Sequence, residues 1–170
     1  MPVTSINHTI DIWIEVFQQK KFQQLCAQPA INSWSLGQLG IHLIEATGFY
    51  LQQIEICIST NDNANEDMLP AAKQLFQNNE LPDVLIEGPP TNAATPQPAS
   101  KEALLQGLTD LKEKIKTLEI LIATSSFKGK TKHPGLHYFT AKEWLQFADM
   151  HLRHHLKQLK RIESFLAAPE

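Results

Sequence analysis

The stretch His151-Leu152-Arg153-His154-His155 holds the densest chemistry in this chain. Two imidazoles four residues apart on a helix stand one above the other. That is the spacing by which one helix offers two nitrogen ligands to a single metal ion. A buried imidazole needs a polar partner, so two of them in one apolar stripe need two partners or one ion. His154 stands three residues from His151, a spacing that is sterically open to chelation, but it falls on the border of the stripe. A further imidazole, His42, sits one turn after Leu39 and one before Ala46 in another apolar stripe. Alone it reads as a core histidine; with His151 and His155 it is the natural third ligand from a neighbouring helix. Three neutral imidazoles on a divalent ion leave a coordination position open, whereas a structural zinc site closes with four protein ligands. Water or a substrate heteroatom such as a thiol could be activated at that position.

Other chemistries find less support. Leu152 stands where a zincin-type peptidase carries its glutamate base. There is no glycine-rich phosphate loop and no Gly-x-Ser-x-Gly elbow. Helical phase places Glu45, Gln53 and Gln158 toward the site, as weak candidates for a base or, more modestly, for orienting the imidazoles. His133 and His137 lie in a segment read as loop. Loops run over the surface, which makes both more in keeping with a surface position; the alternative is that they reach the site, His137 at its mouth.

These residues need helices to hold them. At about 100° per residue, Trp144, Ala148, Leu152, Leu159, Ile162 and Leu166 share one sector of a helix running from Phe139 to Leu166. Lys142, Gln146, Arg153, Lys157, Lys160 and Ser164 fall opposite, on what reads as the wet side. Thr140 to Glu143 has the form of a capping box. Another, Ser35 to Gln38, opens a helix from about Leu36 to Ile58 that carries His42. A helix from Thr4 to about Cys26 precedes it, and one opened by Ser100 follows, with Leu104, Leu108, Leu111, Ile115, Leu118 and Ile122 at helical spacing. Leu69 to Asn78 is a short additional helix. Residues 80–100 carry Pro82, Pro89, Pro90, Pro96 and Pro98, which exclude a regular element and suggest a wrapped crossover or a site border. No segment has strand-quality alternation. The fold class expected is all-α, a four-helix bundle with a long crossover and a short extra helix, in one domain over residues 1–170.

Bulk properties agree. Hydrophobic residues make up 42% and charged residues 19% of 170, with a net charge of −3 and no basic block. A nucleic-acid backbone finds no electrostatic footprint there. No apolar run approaches membrane-spanning length, and the N-terminus has no signal-peptide pattern. Cys26 and Cys57 are spaced neither as a metal knuckle nor as a redox pair, which fits a reducing cytoplasm. The expected partner is a small-molecule substrate, with neither membrane nor nucleic acid.

Several segments, in this order, carry a resemblance: Trp34-Ser-Leu-Gly-Gln38 with His42 soon after, then Lys132-His-Pro134, Thr140-Ala-Lys-Glu-Trp144, and His151-Leu-Arg-His-His155 with Gln158 beyond. Together they resemble the DinB superfamily of DinB/YfiT-like metalloenzymes, and more narrowly its DUF1569 branch of unassigned function. The resemblance spans nearly the whole chain. It implies a four-helix bundle holding a divalent metal, commonly nickel or zinc, on three histidines that correspond to His42, His151 and His155. It also implies that some relatives are thiol-dependent S-transferases using low-molecular-weight thiols, that many have no assigned reaction, and that several are homodimers. Gly135 and His137 depart from the pattern, which has an aromatic residue and then a glycine after His-Pro. A metal-dependent hydrolase and a non-catalytic metal-binding bundle stand as the alternatives to a transferase.

Overall fold

The computed structural model describes residues 4–83 and 94–168. Its elements are α1 (Thr4–Gln19), α2 (Phe22–Cys26), α3 (Leu36–Cys57), α4 (Pro70–Asn78), α5 (Lys101–Thr124), β1 (Thr131–His133), β2 (His137–Phe139) and α6 (Ala141–Ala167). The fold class is all-α, as expected.

Both capping boxes form. The Ser35 hydroxyl accepts from the Gln38 N–H at 3.1 Å and the Gln38 side-chain amide oxygen accepts from the Ser35 N–H at 2.9 Å. Thr140 and Glu143 do the same at the head of α6, at 3.2 and 2.8 Å. Each box closes two of the donors that a helix start leaves unpaired. The amide of Gln38 also donates to the Thr95 carbonyl at 2.8 Å, so the cap of α3 holds the end of the crossover as well.

In the ring of long helices, α3 and α1 each pack on both α5 and α6. Directions follow from the cross-links. Thr9 meets Asp149, Trp13 meets the Leu152 carbonyl and Lys20 meets Glu163, so α1 and α6 run parallel. Asp11 with Lys112, and the Gln18 carbonyl with Lys101, set α5 antiparallel to α1. His42 with His151, and Tyr50 with Trp144, set α3 antiparallel to α6. The bundle is therefore up-down-down-up. Its parallel neighbours α3 and α5 require a long connection, and residues 58–100, including α4, supply it. Residues 84–93 of this connection lie outside the described residues, and with them the question of whether the proline-rich segment borders the site.

A single core cluster threads the long helices, with Trp13, Phe17, Leu39, Leu43, Phe139, Trp144 and Leu152 fully enclosed. Gly40 lets α1 and α5 approach α3, since a Cβ there would lie 2.8 Å from the Phe17 ring and 3.0 Å from Leu104.

Three local expectations are corrected. The helix expected from Thr4 to Cys26 breaks at Lys20 and Lys21. Lys101 donates its ammonium to the carbonyls of Gln18 and Lys20 at 2.5 and 2.9 Å, taking up the last acceptors of α1. The Gln24 side chain then caps the Lys21 N–H at 2.8 Å to start α2. That cation comes from far along the chain, where local periodicity has no view of it.

The segment read as loop before α6 contains a hairpin, pairing Thr131 with Phe139, Lys132 with Tyr138 and His133 with His137. Three-residue strands are too short for alternation to show. Tertiary bonds hold them: the Leu69 N–H donates to the Leu136 carbonyl at 3.1 Å, and the Trp144 indole donates to the Thr131 hydroxyl at 2.7 Å.

The wet side of α6 is in part a packing surface. Gln146 donates to the Phe76 carbonyl at 3.0 Å, and Arg153 donates to the Asn79 carbonyl at 2.9 Å, fastening the end of α4. Arg153 also donates to the buried Asp149 carboxylate, which accepts from Thr9 as well, both at 2.8 Å.

Candidate metal centre

The antiparallel packing of α3 on α6 puts residue 42 across from residues 151 and 155. His42 Nε2 lies 3.3 Å from His151 Nε2, and His155 Nε2 lies 3.1 Å from the same atom. One ring nitrogen from each of the three lies within 4.8 Å of the others, and this is the only such His, Cys, Asp or Glu group among the described residues. Nitrogens bound to one ion at about 2.0–2.1 Å stand roughly 2.8–3.4 Å apart, the range between octahedral and tetrahedral angles. Two of the contacts match that spacing.

Electrostatics favours the same reading. Burial lowers His42 and His155 to about 4. His151, the deepest set, is pushed well below the usual imidazole range, first by burial and then by its neighbours His155 and His42. All three rings are therefore neutral at neutral pH, the form that ligates. The group can hold a divalent ion without first losing protons.

Aromatic side chains wall the group. Trp34 lies against His42 with ring centroids 4.8 Å apart, and Tyr50 meets His151 edge-on at 5.6 Å. Burial raises the Tyr50 hydroxyl above its ordinary range, which keeps it protonated. Neither residue was singled out for the site from the sequence. Trp34 enters the sequence reading only as the head of a family-like segment and Tyr50 only as part of an apolar stripe, so neither points to the rings by itself.

The remaining candidates separate. The Gln158 amide oxygen is 2.9 Å from His155 Nδ1. The His154 ring packs edge-on to His155 at 5.3 Å but stands outside the convergent three. It borders a cavity of about 30 Å³ with Glu80, Leu81, Met150, Arg153 and Lys157. Glu45 is exposed. Gln53 lies about three turns beyond His42, roughly 16 Å along α3, which takes it away from the rings. His137 is exposed on β2, with φ 68°, at the other end of the α3–α6 seam. His133 is no surface residue. Its ring packs on Phe139, Trp144 and Phe147 at 4.9 to 5.7 Å, and burial lowers it to about 4.

No curated protein and no solved structure gives a significant match to this sequence. The model of one family, described as the DinB superfamily, matches residues 7–159. That span runs from the start of α1 through all three convergent histidines, and this chain belongs to the DinB superfamily.

Proposed function

We propose that this protein is a metal-dependent enzyme whose divalent ion, nickel or zinc, is held by His42, His151 and His155, and that it transfers a low-molecular-weight thiol to an electrophilic small molecule. One observation carries the reading: three imidazole nitrogens from two helices converge at ligand spacing. Bound there, a divalent ion would supply Lewis acidity that favours the thiolate form of a thiol at neutral pH. The protein's part is to present three neutral nitrogens and to leave further positions for an incoming ligand. The metal-ligand group includes no carboxylate. Three neutral ligands leave the ion's charge uncompensated, which favours an anionic sulfur as the incoming group.

Hydrolysis of a small substrate is the second reading. It would need a proton acceptor near the rings, and Glu45, the carboxylate one turn along α3, is exposed. The order of the Trp34, His133-Pro134 and His151–Gln158 segments supports placing the chain in the DUF1569 branch. Two free cysteines fit a cytoplasmic setting, and a homodimer belongs to the same proposal. No helix among the described residues is long and apolar enough to cross a membrane.

The test is elemental analysis of protein purified without a histidine tag, beside His42→Ala, followed by a panel of thiols and electrophiles. One equivalent of metal in the wild type and none in the variant supports the site. Thiol adduct formation that follows metal content supports the transferase. Metal-free wild-type protein that takes up none of the offered ions overturns both.

A further inference from the structure

We infer that Gln158 is a positioning residue that fixes His155 in the tautomer able to ligate. This inference rests on the metal reading above, but it has a consequence in the metal-free protein as well. A neutral imidazole carries one N–H and one lone pair. His155 can offer Nε2 to an ion only when its proton sits on Nδ1. Gln158 stands three residues on, on the same face of α6, with its amide oxygen 2.9 Å from that Nδ1. An amide oxygen accepts and cannot donate, so this contact requires the Nδ1–H form. The Nε2 lone pair of His155 is then turned toward His151, 3.1 Å away.

The three rings are thereby made unequal. With His155 held as an acceptor at Nε2, the 3.1 Å contact is a hydrogen bond only if His151 donates from its own Nε2. His151 then has its lone pair on Nδ1, and that atom is buried without a partner. An unpaired buried acceptor is a smaller penalty than an unpaired buried N–H. Metal uptake reverses the His151 tautomer and leaves its Nδ1–H in the same enclosed place. His155 needs no such change. The structure thus assigns one ligand ready before the ion arrives and one that must shift its proton. An orienting partner on the far nitrogen of a ligating histidine typically changes metal affinity ten- to a hundredfold.

The test uses the full-length protein and two variants, Gln158→Leu and Gln158→Glu, with nickel and zinc affinities measured by chelator competition. Gln158→Leu, which has no acceptor, is expected to bind about ten to a hundred times more weakly. Gln158→Glu, a stronger acceptor, is expected to bind at least as tightly as wild type. Urea midpoints of the metal-free proteins report any purely structural effect, which would move stability and leave affinity alone. Nitrogen-15 spectra of the metal-free imidazoles are expected to show the Nδ1–H form at His155 in wild type and in Gln158→Glu, and a mixture in Gln158→Leu. Equal affinities in all three proteins, or a His155 tautomer that ignores the substitution, would overturn the assignment. A wild type that binds no metal but shows the expected tautomers would overturn the metal reading and leave the positioning role of Gln158 standing.

Discussion

The seam between α3 and α6 holds histidines at both ends, and the two ends differ. At one, His42, His151 and His155 point Nε2 atoms at each other, 3.1 and 3.3 Å apart, with no charged partner in the group. At the other, His133 sits on β1 among Phe139, Trp144 and Phe147, and its Nδ1 accepts from the Gly135 N–H at 3.1 Å. Burial lowers His42, His155 and His133 alike to about 4. A perturbed imidazole therefore does not mark the site. Convergence of ring nitrogens sets the three apart. The hairpin end spends its polar atoms on local bonds, Trp144 on Thr131 and His133 on Gly135, and uses the rest as packing. The three-histidine end leaves nitrogens facing nitrogens, an arrangement that only shared protons or a cation can satisfy.

Substitutions at the two ends should have opposite profiles, and the largest effect belongs to the proposed ligands. Ala in place of His42, His151 or His155 should weaken nickel or zinc binding by more than about a hundredfold, beyond what an outer partner of a ligand contributes. His133→Gln should leave affinity within about twofold of wild type, because it changes no ligand and no ligand's partner. Chelator competition measures both. Parity between His133→Gln and His151→Ala would erase the distinction between the ends. Next in size, Phe139→Ala at the hairpin end should cost about 3–5 kcal/mol of folding stability, through lost burial and an unfilled space. Metal stoichiometry per folded molecule should be unchanged. Urea denaturation with elemental analysis of the folded fraction tests that pair of outcomes. Loss of metal in folded Phe139→Ala would show that the hairpin end positions the ligands after all.

How much of this was legible in the sequence depended on distance along the chain. Helical phase alone brings His151 and His155 into register, and the capping boxes at Ser35 and Thr140 locate the starts of α3 and α6. Given those starts, the pairing of His42 with the α6 histidines follows once α3 is antiparallel to α6. What stayed hidden is set by contacts between distant residues. Lys101 ends α1 at Gln18 and Lys20, and Asn79 turns the polar side of α6 into a docking surface for α4. His133 is half-buried because the hairpin folds back onto Trp144 and Phe147, in strands too short to leave a periodic trace. Gln53 shares the helical phase of His42 but stands too far along the axis. Phase gives the angle around a helix; the partner helix decides which levels along it matter.

The smallest expected effect is a difference in pH dependence. His133 titrates near 4 in the folded protein because burial disfavours its charged form, and near 6.5 when unfolded. Between those values the unfolded chain binds a proton that the folded chain does not, so unfolding becomes easier as pH falls through that window. Above about 6.5 the group is neutral in both states and contributes no slope. His42 and His155 add the same sign over the same range in the metal-free protein. His133→Phe removes one of these contributions and keeps an aromatic ring against Phe139 and Phe147. The metal-free variant should lose less stability than wild type on going from pH 7 to pH 4.5, with a slope shallower by up to about one proton. Urea midpoints at four or five pH values give both slopes. Parallel curves would mean that the His133 ring is protonated as readily folded as unfolded, and that the aromatic packing of the hairpin end does not exclude water from it. In metal-loaded protein the wild-type curve should fall more steeply, since protons then also compete with the ion for His42, His151 and His155. The His133→Phe difference should survive loading unchanged, because that ring stands outside the proposed metal site.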